Sequence, residues 1–236
     1  MGEKMRILCT ILARGGSKGV PNKNLKVLGG KPLIAHTISL AKRSKLFDAI
    51  AVSSDSESIL KTAKKWGVEC LIKRPSVMAG DKAPKLPAIQ HCVLEVEKKY
   101  GLFDLICDLD PTSPFRTVED IKNCIQLAIQ PCISNVISGA PSRKSPYFNL
   151  VENDGLGFVR LVKNAGRFVG RRQDSPACYD VNASIYVWRR ESLLNSKSVL
   201  MKRTKLYVMP RERSIEIDTP FDFIVAEHFA SKGHLK

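Results

Sequence analysis

The sequence predicts an α/β fold, in which a mostly parallel twisted sheet carries helices on both faces and a small inserted arm. In the first 138 residues, short apolar runs alternate with segments of helical periodicity. This alternation is typical of parallel strands joined by right-handed helical crossovers. After residue 138 the alternation stops, and the segment 139–171 is rich in Gly, Pro and Arg. We therefore predict a core formed by 1–138 and 172–236, with the inserted arm at 139–171.

The strands of the core are predicted from apolar runs. The first run, RILCTIL at 6–12, contains almost no polar residue, as expected for a strand that is buried on both faces. Later runs predict further strands at 48–54, 68–72, 103–110, 182–190 and 204–210. Within the arm we expect loops and short strands.

The helices are predicted from apolar residues at helical spacing, at 32–46, 57–66, 86–100, 118–130 and 218–230. Ser56 is expected to cap the second helix and Gly67 to end it. Thr117 and Asp120 have the spacing of a capping box for the fourth helix. Asp218 is expected to cap the last helix.

Composition restricts the class of protein. No apolar run approaches the ~18 residues that a membrane span requires, and the start of the chain is predicted to be a strand rather than a signal peptide. The seven cysteines form no CxxC pair, which favours a reducing cytoplasm. The net charge of +15 suggests nucleic acid, an acidic membrane surface or small polyanionic substrates. Five basic residues and no acidic ones lie in 160–173, but the chain has no basic tail.

The stretch ILARGGSKGVPNKN follows the first strand, where ligands bind in parallel α/β sheets. Gly15 and Gly16 are expected to present backbone N–H groups as an anion-binding nest. Arg14, Lys18 and Lys23 would add mobile positive charge. The motif is neither a P-loop nor GxGxxG, and a basic surface loop is the alternative interpretation.

Two acidic pairs follow predicted strands. Asp108 and Asp110 end the fourth strand, and we expect them to point to opposite faces, so that one of them faces the cleft; a turn cap before Pro111 is the alternative. Glu216 and Asp218 precede the last helix. Carboxylates beside a phosphate-binding loop suit Mg²⁺, which prefers oxygen ligands.

The segment RRQDSPACYDVNASIY combines guanidinium, amide and phenol groups around an expected turn. Arg172 is a candidate for bidentate binding of a carboxylate. A basic solvated loop is the alternative interpretation of this segment.

Six ordered blocks resemble the acylneuraminate cytidylyltransferases, the CMP-sialic acid synthetases. They are ILARGGSKGVPNKNLKVLGGKPLIAHTI, VSSDSESI, RPSVMAGDKAP, DPTSPFRT, NASIYV and SIEIDTPFDFIVAE, and they extend over nearly the whole chain. The resemblance implies a Rossmann-like nucleotidyltransferase fold. It also implies a homodimer in which the arm reaches the partner's site.

The resemblance assigns expected roles to individual residues. Arg14, Lys23 and Asp218 are the expected catalytic residues. The expected CTP site comprises Leu12, Ala13, Arg14, Gly15, Ser17, Lys23, Asn24, Arg74, Ala83 and Lys85. The expected sugar-acid site comprises Asp110, Asn149, Arg172, Gln173, Asn182 and Tyr186. Mg²⁺ or Mn²⁺ is expected on Glu216 and Asp218, with Asp110 as a further candidate ligand.

The implied reaction transfers CMP from CTP to the anomeric hydroxyl of a nine-carbon 2-keto sugar acid and releases pyrophosphate. Asp110 stands where the sialic acid enzymes carry Gln, Asn149 where they often carry Lys, and Glu216 where they carry Asp. The stretches AGDKAPKLPAIQH, DLDPTSP and SPYFN are more similar to the enzymes for legionaminic acid. We therefore expect N,N'-diacetyllegionaminic acid as the substrate.

Other substrates and one other class of function stay open at this stage. N-acetylneuraminic, pseudaminic and Kdo acids are the alternative sugar substrates. A non-catalytic basic protein that binds nucleotides or nucleic acid is the alternative from another class. If the chain is the enzyme, neither nucleic acid nor a membrane is expected as a partner.

Overall fold

Seven strands form the central sheet of the computed structural model, which describes residues 4–80, 83–166 and 169–235. In chain order the strands are β1 (Ile7–Leu12), β2 (Val27–Leu28), β3 (Lys31–Pro32), β4 (Ala49–Ser54), β5 (Cys70–Lys73), β6 (Leu105–Leu109), β7 (Asn135–Pro141), β8 (Val151–Asn153), β9 (Val159–Leu161), β10 (Tyr179–Arg189) and β11 (Thr204–Val208). The central sheet has the order β11-β7-β10-β6-β1-β4-β5, while β2 pairs with β3 and β8 with β9.

The sheet is mostly parallel, as predicted. Strand β1 pairs in parallel with β4 and β6, β4 with β5, and β7 with β11. Strand β10 is antiparallel to both of its neighbours, β6 and β7. The parallel strands β1, β5 and β6 therefore end at one edge of the sheet, where the binding sites of such folds lie.

Helices cover both faces, which confirms the predicted fold class. They are α1 (Leu33–Ser44), α2 (Glu57–Lys65), α3 (Lys85–Tyr100), α4 (Val118–Ala128), α5 (Arg190–Leu194) and α6 (Pro220–Ser231). Residues of α1, α2 and α4 pack on one face of the sheet, and residues of α3 and α5 on the other. Helix α6 packs with the β2–β3 hairpin in a third apolar cluster. None of the described helices is long and apolar enough to cross a bilayer.

The helix ends agree with the predictions at the start of α4 and at the end of α2, in part at the start of α2, and not at α6. Thr117 and Asp120 form the expected capping box, and Gly67 follows α2 with a φ of 80°. Ser56 occupies the N-cap position of α2 without a side-chain capping bond. The prediction that Asp218 caps α6 is wrong: Thr219 is the N-cap and forms a capping box with Asp222. Asp218 lies one residue earlier, and its carboxylate accepts a hydrogen bond from Lys23.

The sheet continues on both sides of the predicted arm. Strand β7, which the sequence analysis did not predict, extends to Pro141, and β10 begins at Tyr179. Between them lies the small hairpin of β8 and β9, with Leu156 82% and Phe158 73% exposed. Short strands were expected in the arm, and the boundaries of the arm as a separate unit stay a prediction.

Candidate active site

A cleft of ≈ 540 Å³ opens at the edge of the sheet where β1, β5 and β6 end. Ten of the residues expected at the site line it: Leu12, Arg14, Ser17, Lys23, Asn24, Arg74, Ala83, Lys85, Asp110 and Asp218. The cleft is also lined by Lys18, which was expected to add positive charge there, and by Gly19 and Thr112, to which the sequence analysis gave no place in the site. Gly19 lies inside the glycine-rich motif and Thr112 inside PTSP, so both motifs carried a signal for them.

The loop 13–24, here called the cradle loop, is held by its own polar side chains. The Ser17 hydroxyl donates to the carbonyl of Val20 at 2.7 Å and accepts from the Lys23 N–H at 3.1 Å. The Asn24 amide donates to the carbonyl of Arg14 at 3.0 Å. These bonds fix the loop without a ligand, so Arg14 and Lys23 are carried on a preorganised backbone.

Gly15 does not present an open N–H group. Its N–H donates to the Asp55 carboxylate at 3.0 Å, so the expectation of an anion-binding nest is wrong for this residue. A Cβ on Gly15 would lie 2.9 Å from the Cβ of Ser56. The glycine therefore allows the cradle loop to approach the start of α2. At Gly16 a Cβ would meet nothing within 4 Å.

Lys23 is a fixed charge, whereas the sequence analysis expected a mobile one. Its ammonium donates to the carbonyl of Ile217 at 2.5 Å and to the Asp218 carboxylate at 2.8 Å. The Lys23 side chain is 11% exposed, and that of Asp218 is 68% exposed. A Cβ on Gly19 would lie only 2.1 Å from the carbonyl oxygen of Asp218. The cradle loop and the segment before α6 are thus in close contact.

Asp108 and Asp110 share one lysine. Lys85 Nζ lies 2.8 Å from Asp108 Oδ2 and 2.9 Å from Asp110 Oδ2. The expectation that the two carboxylates point to opposite faces is wrong, because residues two apart on a strand lie on the same face. Burial alone would lower the pKa of Lys85, but the two carboxylates outweigh it and raise that pKa.

Both oxygens of the Asp110 carboxylate accept hydrogen bonds. Its Oδ1 accepts from the N–H and the hydroxyl of Thr112, at 2.9 and 2.8 Å, and Oδ2 accepts from Lys85. Burial raises the pKa of Asp110, but Lys85 and these hydrogen bonds lower it to about 2. Asp110 is therefore ionised at neutral pH.

Glu216 lies near two other carboxylates. Burial, followed by the negative charges of Asp110 and Asp218, raises the pKa of Glu216 to about 7. Among the residues that the structure describes, no group of three or more His, Cys, Asp or Glu side chains could hold a metal ion by itself. A divalent ion at this edge would need further oxygen ligands from a bound molecule.

Arg74 lines the cleft, and Ala13 lies behind it. The Arg74 guanidinium donates to the carbonyl of Ser53 at 2.7 Å, and burial lowers its pKa. Ala13 is fully buried, and its N–H donates to the same carbonyl at 3.0 Å. Ala13 therefore supports the end of β4 and does not line the cleft, whereas Leu12 and Ala83 do.

Comparisons with known proteins decide the family. The family model described as Cytidylyltransferase matches residues 8–229. The chain belongs to the cytidylyltransferase family. The prediction of an enzyme of this class is thereby confirmed.

Two curated relatives align with this cytidylyltransferase over almost the whole length of both chains. The post-translational flagellin modification protein B of Campylobacter coli is 40% identical, over 98% of this chain and 97% of its own. The CMP-N,N'-diacetyllegionaminic acid synthase of Campylobacter jejuni is 41% identical, over 97% of each. A solved CMP:2-keto-3-deoxy-manno-octonic acid synthetase complexed with CTP has a TM-score of 0.70 at 17% identity, covering 97% of this chain and 99% of that one. This last likeness supports the fold.

Five of the six residues expected at the sugar site of the cytidylyltransferase do not line the cleft, and Asp110 is the one that does. Arg172 and Gln173 line a second cavity, of ≈ 490 Å³. The Arg172 guanidinium donates to the carbonyl of Ser142, so no bidentate carboxylate pair is seen. Asn149 is exposed, and its Oδ1 accepts from the N–H of Ser145 at 2.8 Å. Asn149 thus closes a turn.

Asn182 and Tyr186 are buried supports of the cytidylyltransferase core, 3% and 7% exposed. The Asn182 Oδ1 accepts from the Ser138 hydroxyl at 2.7 Å, and its Nδ2 donates to the Ser214 hydroxyl at 2.9 Å. The Lys85 ammonium lies 5.1 Å from the centre of the Tyr186 ring. Both residues therefore act from behind the cleft in this structure.

Proposed function

We propose that this cytidylyltransferase transfers CMP from CTP to the anomeric hydroxyl of N,N'-diacetyllegionaminic acid, releasing pyrophosphate. The observation that carries the proposal is the cleft itself, in which Lys23 on a preorganised loop faces Asp218 at the edge of the sheet. The relative from Campylobacter jejuni, 41% identical and named for this substrate, supports the choice of sugar acid.

The positive side chains of the cleft have a direct use in this reaction. Arg14, Lys18 and Lys23 surround the space in which a triphosphate would lie. The hydroxyl oxygen of the sugar acid attacks the α-phosphorus while the bond to the bridging oxygen of the pyrophosphate breaks in line. The hydroxyl proton leaves to solvent or to a nearby base. Positioning and neutralisation of charge account for such a transfer without a covalent enzyme intermediate.

The acidic side chains fit a hard divalent ion. Asp218 is mostly exposed, and Glu216 and Asp110 are near enough to influence each other's ionisation. Asp218 and Glu216 would hold Mg²⁺, or Mn²⁺, together with phosphate oxygens and water, because Mg²⁺ is bound by one or two carboxylates in such sites. The ion, when bound, neutralises phosphate charge and lowers the pKa of the attacking hydroxyl.

Asp110 is proposed to contribute to the choice of sugar acid. An amide at this position could donate a hydrogen bond, but an ionised carboxylate only accepts one. Asp110 borders the cleft and is held by Lys85 and Thr112. An N-acyl N–H group of a di-N-acyl sugar supplies a donor for such an acceptor.

The proposed substrate is tested by pyrophosphate release with CTP and Mg²⁺. The panel comprises N,N'-diacetyllegionaminic, N-acetylneuraminic, pseudaminic and Kdo acids. We expect kcat/KM for the first to exceed that for N-acetylneuraminic acid by at least about tenfold, ~1.4 kcal/mol of transition-state free energy. Replacing Mg²⁺ by EDTA should abolish the release.

The Asp110→Gln variant distinguishes two roles of this residue. If Asp110 contacts the sugar, the ratio between the two acids should narrow. If it binds the metal, both rates should fall and the ratio should persist. Equal efficiency of the parent enzyme on both acids would contradict the substrate assignment and leave the transfer from CTP in place.

A homodimer is proposed to complete the sugar site. Arg172 and Gln173 lie in a different cavity from the cleft, and the arm before them exposes Leu156 and Phe158 on its hairpin. We propose that the arm of a second copy carries these two residues to the cleft.

The seven free thiols support a reducing cytoplasm as the place of action.

A further inference from the structure

Arg116 is a buried cation to which the proposed reaction assigns no role. It is 2% exposed and follows the PTSPF stretch, just before α4. One terminal nitrogen, Nη1, donates to the carbonyl of Ser184 at 2.8 Å and to its hydroxyl at 3.1 Å. The other, Nη2, donates to the Thr37 hydroxyl and to the carbonyl of Asp110, both at 2.6 Å. A single guanidinium therefore joins β10, α1 and the end of β6.

This arrangement is costly if it serves stability alone. Within the described part of the chain, the Arg116 Nε atom is buried without a hydrogen-bond partner. Burial lowers the pKa of Arg116, and the charge of Asp110 opposes that effect. Apolar residues of similar volume often stabilise a core as well as a buried ion does or better, so a buried charge is weak evidence for a role in stability. Its geometry is the more informative property.

The Ser184 end of this contact lies at an irregular part of the sheet. The register of β10 against β7 shifts between Val181 and Tyr186. Ala183 has a φ of 45°, a left-handed conformation that is unfavourable for a residue with a side chain. The Ser184 carbonyl also accepts from the N–H of Asp110, at 3.2 Å. Arg116 thus ties the irregular strand to the residue at which the cleft begins.

The turn at 110–113 connects Arg116 to the ammonium group of Lys23. The carbonyl of Asp110 is held by Arg116, and the carbonyl of Thr112 accepts from the N–H of Ile217 at 2.9 Å. The carbonyl of Ile217 in turn accepts from Lys23 at 2.5 Å. Each contact in this series is a direct hydrogen bond or lies within one short turn.

We infer that Arg116 is a positioning residue for the transfer: it fixes the turn at 110–113, and thereby the segment that holds Lys23 and Asp218 in the cleft. The inference rests on the proposed function, in which Lys23 and Asp218 act on the triphosphate. Arg116 itself lies behind the cleft and does not line it.

The test compares Arg116→Lys with Arg190→Lys. Arg190 also forms a two-armed contact, donating to both carboxylate oxygens of Glu97 at 2.8 Å, but it follows β10 at the opposite end of that strand. Lysine retains the charge in both variants and loses the fork. Turnover is measured per folded enzyme with the acid on which the parent is fastest, alongside the melting temperature.

We expect Arg116→Lys to lower kcat by roughly 10- to 100-fold, because small misplacements of reacting groups have effects of that size. Its KM for CTP should change much less, and Arg190→Lys should retain the parent kcat. The double variant Arg116→Lys with Lys23→Ala should lose less than the two single losses in free energy added together, because part of the effect of Arg116 passes through Lys23.

Thr37→Val provides a second test if Arg116→Lys does not fold. It removes one acceptor of Arg116 and leaves the bond to Asp110, so kcat should fall by roughly threefold, the effect of one hydrogen bond. Unchanged kcat in folded Arg116→Lys, or additive losses in the double variant, would overturn the inference. If only Thr37→Val folds, an unchanged kcat in that variant would also overturn the inference. If the parent enzyme is fastest with another sugar acid, the substrate proposal is contradicted. The comparison of the variants with the parent would still test the role of Arg116.

Discussion

The fold fixes the position of the Lys23 charge in the cleft. Its ammonium binds a backbone carbonyl and a carboxylate of the segment before α6, while its own N–H is held by Ser17. We predict that Lys23→Ala slows turnover roughly a hundredfold, ~3 kcal/mol, by analogy with the loss of one oxyanion donor. Steady-state kinetics of pyrophosphate release measure the effect.

The matched control for this prediction is Lys31→Ala. Lys31 is exposed, lies on β3 and does not line the cleft. It should retain the parent kinetics, and both variants should retain the far-UV circular dichroism of the parent. Parent-like use of CTP by Lys23→Ala would remove Lys23 from the phosphate site.

Glu216 predicts a pH dependence of stability. Its folded pKa of about 7 lies above the ordinary value of 4.5. Between these values the folded protein holds a proton that the unfolded chain has released, so stability from this group is present at low pH and lost as the pH rises toward 7. Glu216→Gln should therefore remove part of the fall in Tm between pH 5 and about 7.5 in the absence of divalent ions. A variant whose Tm follows the parent at every pH would contradict the raised pKa.

At the scale of residues, the sequence predicted the members of the cleft better than their contacts. Arg14 and Lys23 lie in one continuous motif directly after the first strand, so their location at the cleft followed from the prediction of that strand. The shared face of Asp108 and Asp110 followed from strand geometry and was nevertheless predicted wrongly. The burial of Asn182 was not predictable in this way, because its partners Ser138 and Ser214 come from distant parts of the chain.

At the scale of elements, the cradle loop and the segment before α6 form one unit. Gly19 lies against the backbone of Asp218, where a Cβ would be 2.1 Å from the carbonyl oxygen. We predict that Gly19→Ala displaces this segment and lowers kcat by roughly tenfold or more. Gly16→Ala is the control, because a Cβ there meets nothing within 4 Å and should leave the kinetics unchanged. Equal rates for the two variants would show that the close approach at Gly19 is not required.

The elements themselves were largely predictable, for identifiable physical reasons. Buried parallel strands such as β1 are continuous apolar runs, and the capping box at Thr117 lies within four consecutive residues. Strand β7 was missed because Gly139 and Pro141 interrupt its apolar pattern. The cap of α6 was assigned to Asp218 because both Asp218 and Thr219 are good capping residues, and the choice depends on the contact of Asp218 with Lys23.

At the scale of the whole molecule, the net charge of +15 has a use that composition alone did not determine. Part of it lies in the cleft, where a triphosphate and a sugar acid would bring several negative charges. Another part lies near Arg172, outside the cleft. A single chain thus carries the residues of the expected sugar site in two places, which the linear motif order did not reveal.

Mixed dimers test whether two copies share a site. Lys23→Ala impairs the cleft of its own chain, and Arg172→Ala impairs the residues that the arm would carry to the other chain. In a heterodimer of the two variants, one cleft would combine an intact Lys23 with an intact Arg172 from the partner copy, and the other would lack both. Random pairing makes half of the dimers heterodimers, and each heterodimer has one intact site out of two. Co-expression should therefore restore about a quarter of the parent activity.

The same experiment excludes a site built within one chain. In that case every cleft would lack either Lys23 or Arg172, and the mixture would be no faster than the better variant alone. Differently tagged chains, purified through both tags in succession, isolate the heterodimers and should raise the restored activity to about half of the parent value. Tagged heterodimers without restored activity would contradict the shared site, and so would an active monomer at every concentration in analytical ultracentrifugation. Restoration would mean that the exposed hairpin with Leu156 and Phe158 belongs to a chain whose active site is complete only in the dimer.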